Sequence, residues 1–149
     1  MSLTDAMRKS RLMTPAPDYV GADIFISYSH PDLNLAAAQD RDLRGEGYRT
    51  WWAAHLVGGD TLHTAIIAAI DSVRAVVVIW TPASTLSQWV YSEALRAHSQ
   101  NKLVPVRTHD LAVVQIPPPF STLLTLDFDD RSGLASALGR LGVRPRRAA

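Results

Sequence analysis

Two adjacent segments in the middle of the chain limit its fold most. Leu62, Ala65, Ile66, Ala69, Ile70 and Val73 recur at i, i+3, i+4, i+7, i+8 and i+11, the spacing of one apolar helix face. Ala75 to Trp80 is then apolar without a break and rich in β-branched residues, as suits a strand covered on both faces. A helix that leads straight into such a strand points to a parallel sheet held between helical layers.

The remaining pattern agrees. Ile24-Phe25-Ile26 predicts a first strand, ending in Ser27-Tyr28-Ser29-His30. Pro31 suits the first turn of a helix, where its missing N–H needs no partner. Leu33, Ala36, Ala37 and Leu43 give that helix a face, and Gly45-Glu46-Gly47 stops it. Tyr48 to Trp52 predicts a second strand, and Ala53 to Thr61, with Gly58-Gly59, a loop. After the third strand, Ala75 to Trp80, Thr81-Pro82-Ala83-Ser84 breaks the run and Trp89 to Gln100 predicts a helix. Leu103 to Val106 is the fourth strand; Leu123 to Leu126, after Pro117-Pro118-Pro119, is the fifth; Arg131 to Leu141 is the last helix. The expected class is α/β, a flavodoxin-like five-stranded parallel sheet of order 2-1-3-4-5 with helices on both faces. In that order ligands gather at the carboxyl ends of strands 1 and 3, which singles out Ser27 to His30 and Pro82 to Glu93.

A length of 149 residues fits one domain, expected over 21–142. Residues 1–20 read as a leader or linker, and 143–149 as an Arg-rich tail or linker. Cysteine is absent, which excludes disulfides and thiolate chemistry and is compatible with a reducing, cytoplasmic setting. Met1 to Pro17 has no apolar core of a signal peptide, and Ala75 to Trp80 is too short to span a bilayer. Residues 21–130 hold 7 Lys/Arg against 12 Asp/Glu. An acidic body is a poor phosphate-backbone binder, so neither nucleic acid nor membrane is an expected partner.

Elimination narrows the chemistry. Phosphoacceptor domains with this sheet order resemble one another in an Asp ending strand 3 and a Lys after strand 5; here Thr81 and Asp127 stand there. The five histidines, His30, His55, His63, His98 and His109, have no ligand spacing, so no metal is expected. Ser27 and His30 lack a G-x-S-x-G elbow, and Gly58-Gly59 fits no phosphate-binding loop. There remains Ser87-Gln88-Trp89-Val90-Tyr91-Ser92-Glu93. Trp89 and Glu93 are four apart and share a helix face, while Val90, Ala94 and Ala97 form a separate stripe for the sheet. Spacing alone favours reading Glu93 as an acid placed near a helix N-terminus.

Asp23-Ile24-Phe25-Ile26-Ser27-Tyr28-Ser29, Tyr48 to Trp52 with His55-Leu56 and Gly58-Gly59-Asp60, Ala75 to Thr81, Ser87 to Glu93 and Leu103 to Val106 together resemble the TIR (Toll/interleukin-1 receptor) family over residues 22–130. The short Ala- and Arg-rich chain looks like a prokaryotic, NAD-cleaving member. That resemblance implies an NAD+ glycohydrolase releasing nicotinamide and ADP-ribose, or a cyclic isomer, in the effector or signalling part of an immune system. It makes Glu93 of W-x-x-x-E the catalytic residue and Trp89 its neighbour, with NAD+ as substrate and no cofactor. Tyr28, Ser29, His30 and Ser87 fall near the substrate, and Trp52 either walls the pocket or belongs to the core. His55, Leu56, Val57, Gly58, Gly59 and Asp60 correspond to the loop that serves a neighbouring subunit, so self-association is implied, with a sensor domain, fused or separate. The family often has Asp where Ala53 stands, and Arg or Lys where Ser29 and His30 stand. The alternative is a non-catalytic adaptor, or an effector mimicking a host TIR, that acts through TIR–TIR assembly.

Overall fold

Six residues without solvent exposure, Ala75–Trp80, form β3, the centre of the sheet. The computed structural model describes residues 21–52 and 60–146, the side chains of 60–63 excepted. The expected leader, 1–20, the loop residues His55 to Gly59 and residues 147–149 lie outside the described residues. In chain order the elements are β1 (Ile24–Ser27), α1 (Leu33–Gly45), β2 (Thr50–Trp51), α2 (Asp60–Ser72), β3, α3 (Gln88–Ser99), β4 (Leu103–Arg107), β5 (Leu126–Asp127) and α4 (Arg131–Arg140). All strands are parallel, in the order β2-β1-β3-β4-β5.

Side chains alternate across a strand, and here the alternation sorts the core into two layers. Phe25, Val76, Val78 and Trp80 pack beneath α2 and α3, with Ile66, Ile70, Val90 and Ala94. Ile24, Ile26, Ala75, Val77 and Ile79 pack on the other side, against Ala36 and Leu43 of α1 and Leu134 and Leu138 of α4. Each layer excludes water from one face of β1 and β3, which is why both strands read as apolar throughout.

The structure departs from the sequence expectation at several edges. The second strand is Thr50–Trp51, not Tyr48 to Trp52. The Tyr48 N–H donates to the Leu43 carbonyl at 3.0 Å and closes the end of α1, so it is not available to the sheet. Gly47, at φ +98, makes that reversal; a Cβ there would meet the Arg146 carbonyl at 3.0 Å. The fifth strand is Leu126–Asp127 rather than Leu123 to Leu126. A 3-10 turn at Phe120–Thr122 uses the preceding backbone, and Leu123 N–H donates to the Phe120 carbonyl at 3.1 Å. Pro31 lies in a short 3-10 turn, His30–Asp32, ahead of α1. Asp60 and Thr61, expected in a loop, open α2.

The boundary at 142 also moves. Val143 is 2% exposed within the layer of α1 and α4. The Arg146 N–H donates to the Gly47 carbonyl at 2.7 Å, and its guanidinium meets Asp23. Val143 therefore packs with the domain, and the Arg146 backbone is tied to Gly47.

Candidate active site

Ser27 follows Phe25 by two residues, so it faces the same layer, towards α3, at the carboxyl end of β1. Its partner in register is Val78 of β3. Above it, α3 begins at Ser87, whose side chain accepts a hydrogen bond from the Val90 N–H at 3.2 Å, the usual service of a serine N-cap. Val90, Glu93, Ala94 and Ala97 form the buried face of the helix. Glu93 thus belongs to the packing stripe as well, while it shares the cleft with Trp89. Trp89, one position around the helix, remains 53% exposed.

Ser27 Oγ donates to Glu93 Oε1 at 2.6 Å. Glu93 is 8% exposed. Burial disfavours its charged form and pushes its pKa up to about 7, against the smaller opposing pull of the Ser27 hydroxyl. The Tyr28 phenol is raised as well, first by burial and then by the nearby Glu93.

Glu93 lies in a cleft of about 410 Å³ at the switch point of the sheet, a size typical of small-molecule sites. Tyr28, Ser29, His30, Ser87 and Trp89 line the same cleft, with Phe25, Ile66 and Leu86 among its apolar walls. Trp89 and Glu93 also border a second opening of about 290 Å³ between α2 and α3. Among the described lining residues of the main cleft there is no Lys or Arg. No group of three or more His, Asp or Glu among the described residues is placed to hold a metal.

Trp52 is not among the residues that line the cleft. It packs edge-on against Tyr28 with ring centroids 5.6 Å apart, beside the layer of α1 and α4. Trp51, one residue earlier and therefore on the opposite face, stacks on Phe25 at 5.4 Å and supports the cleft wall from behind. Of the proposed assembly loop, His55, Leu56, Val57, Gly58 and Gly59 lie outside the described residues. Asp60 begins α2, its side chain outside the description.

Sequence reasoning missed a buried polar lattice that joins the two loops flanking the site. Asp32 accepts from Ser29 Oγ at 2.5 Å and from Thr81 Oγ1 at 2.6 Å. The Thr81 N–H donates to Ser84 Oγ at 2.7 Å, the Ser84 N–H returns a bond to Thr81 Oγ1 at 3.0 Å, and Ser84 Oγ donates to the Ile79 carbonyl at 2.8 Å. These bonds tie the loop after β1 to the loop after β3. The signal for them was a carboxylate straight after Pro31 and two hydroxyls within four residues of the end of an apolar strand.

A family model described as TIR domain matches residues 24–141. No curated protein matches the chain. Among solved structures, a metazoan TIR-STING receptor from C. gigas, in complex with 2',3'-cGAMP, is similar at 27% identity and a TM-score of 0.66. The match covers 83% of this chain and 40% of that one, so the chain spans well under half the length of that receptor. A second structure of a TIR-STING receptor from C. gigas aligns at 24% identity and a TM-score of 0.64, over 84% of this chain and 41% of that one. The TIR domains of the activated Roq1 resistosome, which directly recognises the pathogen effector XopQ, align at 21% identity and a TM-score of 0.53, over 80% of this chain and 82% of that one. The last two likenesses bear on the fold alone.

Proposed function

The chain belongs to the TIR domain family, and from that premise we propose that it cleaves the nicotinamide–ribose bond of NAD+, with Glu93 as the catalytic residue. The observation that carries this reading is one carboxylate, 8% exposed, in a cleft at the carboxyl ends of β1 and β3. In NAD+ the leaving group is a pyridinium. When the C1′–N bond breaks, the electron pair goes to nitrogen and nicotinamide departs neutral, so no acid is needed to protonate it. The ribose is left as an oxocarbenium ion, whose charge an ionised Glu93 stabilises. Water then adds at C1′ and gives up a proton, yielding ADP-ribose; capture by an adenine nitrogen instead gives a cyclic isomer. Ordinary glycosidases need a second carboxyl group because their alkoxide leaves poorly. A cationic substrate next to Glu93 also favours the ionised carboxylate, which offsets the burial that raises its pKa.

Tyr28, Ser29, His30, Ser87 and Trp89 form the rest of the substrate cleft in this reading. We take the segment from His55 to Asp60 as the one that serves an adjacent subunit, so turnover depends on self-association. In this reading the domain is the assembling effector or signalling part of an immune system. The Ala- and Arg-rich composition supports a prokaryotic setting, and the absence of Cys a cytoplasmic one. No helix among the described residues is long and apolar enough to cross a membrane.

Incubation at high protein concentration with NAD+ should release nicotinamide, and Glu93→Ala should lower that release by at least a hundredfold; equal release by the two proteins refutes the proposal. One observation favours the adaptor reading. The described cleft lining carries no Lys or Arg for a pyrophosphate, while Leu86 and Trp89 at its rim expose apolar surface. Concentration-dependent self-association with no nicotinamide release under crowding would select that reading.

A further inference from the structure

The Glu93 carboxylate accepts a hydrogen bond that comes from the sheet. Ser27 is 0% exposed and pairs in register with Val78 of β3, so its hydroxyl is held from the centre of the sheet. It reaches Glu93 Oε1 at 2.6 Å, a length typical of a hydroxyl bonded to a carboxylate. Glu93 lines the cleft while its Oε1 is bound to Ser27. One oxygen is therefore anchored to the sheet, and Oε2 is the one without that bond.

We propose that Ser27 is a positioning residue of this site: its hydroxyl fixes Glu93 Oε1 from below, so that Oε2 is the oxygen presented to the ribose. The inference rests on the proposed NAD+ cleavage for its function, but the clamp itself is a property of the chain. Other groups near the carboxylate do not replace it. Tyr28, on the loop after β1, couples to Glu93 only by charge. His30 shares the cleft without a bond to Glu93. Arg96, one turn further along α3, is held by Asp71 of α2 in two bonds of 2.7 Å. From α2, Ile66 is the described side chain on the cleft.

A donor to the charged form favours ionisation, and its loss leaves a buried carboxylate without a partner. Ser27→Ala should therefore raise the Glu93 midpoint by about one pH unit, a tenfold gain in proton affinity. The chain has only two glutamates, Glu46 and Glu93. Protein labelled with ¹³C at the glutamate carboxyls shows two side-chain resonances, assigned with Glu93→Gln, and their titration needs no turnover. The expected result is an upward-shifted Glu93 midpoint in Ser27→Ala, restored in Ser27→Thr, with the rising limb of kcat/KM for NAD+ moving by the same amount. A midpoint that Ser27→Ala leaves in place overturns the clamp. If that variant does not fold, Ser27→Cys, a weaker donor of similar size, must show a smaller upward shift, and an unmoved midpoint there overturns it equally. Equal nicotinamide release by wild type and Glu93→Gln defeats the proposed activity and leaves the carboxyl titration to decide the clamp.

Discussion

The Glu93 carboxylate is placed where burial makes its charge costly to the fold. Its pKa lies near 4.5 when solvated and about 7 in the folded chain. Between those values the native state holds a proton that the unfolded state has released. The favourable contribution is complete below pH 4.5 and is lost as pH rises through 7, an effect on the order of 3 kcal/mol. Glu93→Gln carries no charge at any pH. Its stability advantage over wild type should therefore grow between pH 4 and pH 8 by that amount in chemical denaturation; an advantage that stays constant with pH contradicts the burial argument. Ser27 was within reach of sequence reasoning, because it follows Phe25 by two on an apolar strand and must face the same layer. The choice between Trp51 and Trp52 was not. A strand with only two paired residues has weak register signals, and a slip of one exchanges the faces.

At the scale of elements, α3 connects the site to the core through the loop between β4 and β5. Phe120 is fully buried, and its ring lies 5.6 Å from those of Trp80 and Tyr91 and 6.0 Å from His98. Phe120→Ala should cost about 3–5 kcal/mol in urea denaturation, the usual range for an emptied aromatic site. A loss below about 1 kcal/mol would mean that the loop closes over the gap. The exposed Arg96–Asp71 pair on the outer side of α3 is a different case. Its carboxylate is held down to about 2 by Arg96 and Gln100, yet both partners are more than two-fifths exposed. Asp71→Asn is thus expected to shift stability by less than about 1 kcal/mol, and less still at high salt. The central elements were legible because burial on both faces leaves a continuous apolar run, as in Ala75–Trp80. The edge strand β2 was expected too long and β5 too early in the chain, because capping and turn bonds, at Tyr48 and Leu123, compete for the same backbone groups.

For the whole molecule, two core layers enclose one sheet, and the order β2-β1-β3-β4-β5 places the cleft before any side chain is considered. The domain extends past the expected limit at 142. A chain ended at Gly142 loses Val143 from the core, and its unfolding midpoint should fall by an amount equivalent to roughly 1.5–3 kcal/mol; an unchanged midpoint would restore the shorter boundary. The proposed cleavage depends on an ionised Glu93 acting on the ribose of NAD+. The most direct test is kcat/KM for nicotinamide release between pH 5 and pH 9, because this ratio reports groups of the free enzyme. The expected result is a rise with pH whose midpoint lies at about 7, retained in His30→Ala and abolished with activity in Glu93→Gln. A flat profile, or undiminished release by Glu93→Gln, would contradict it.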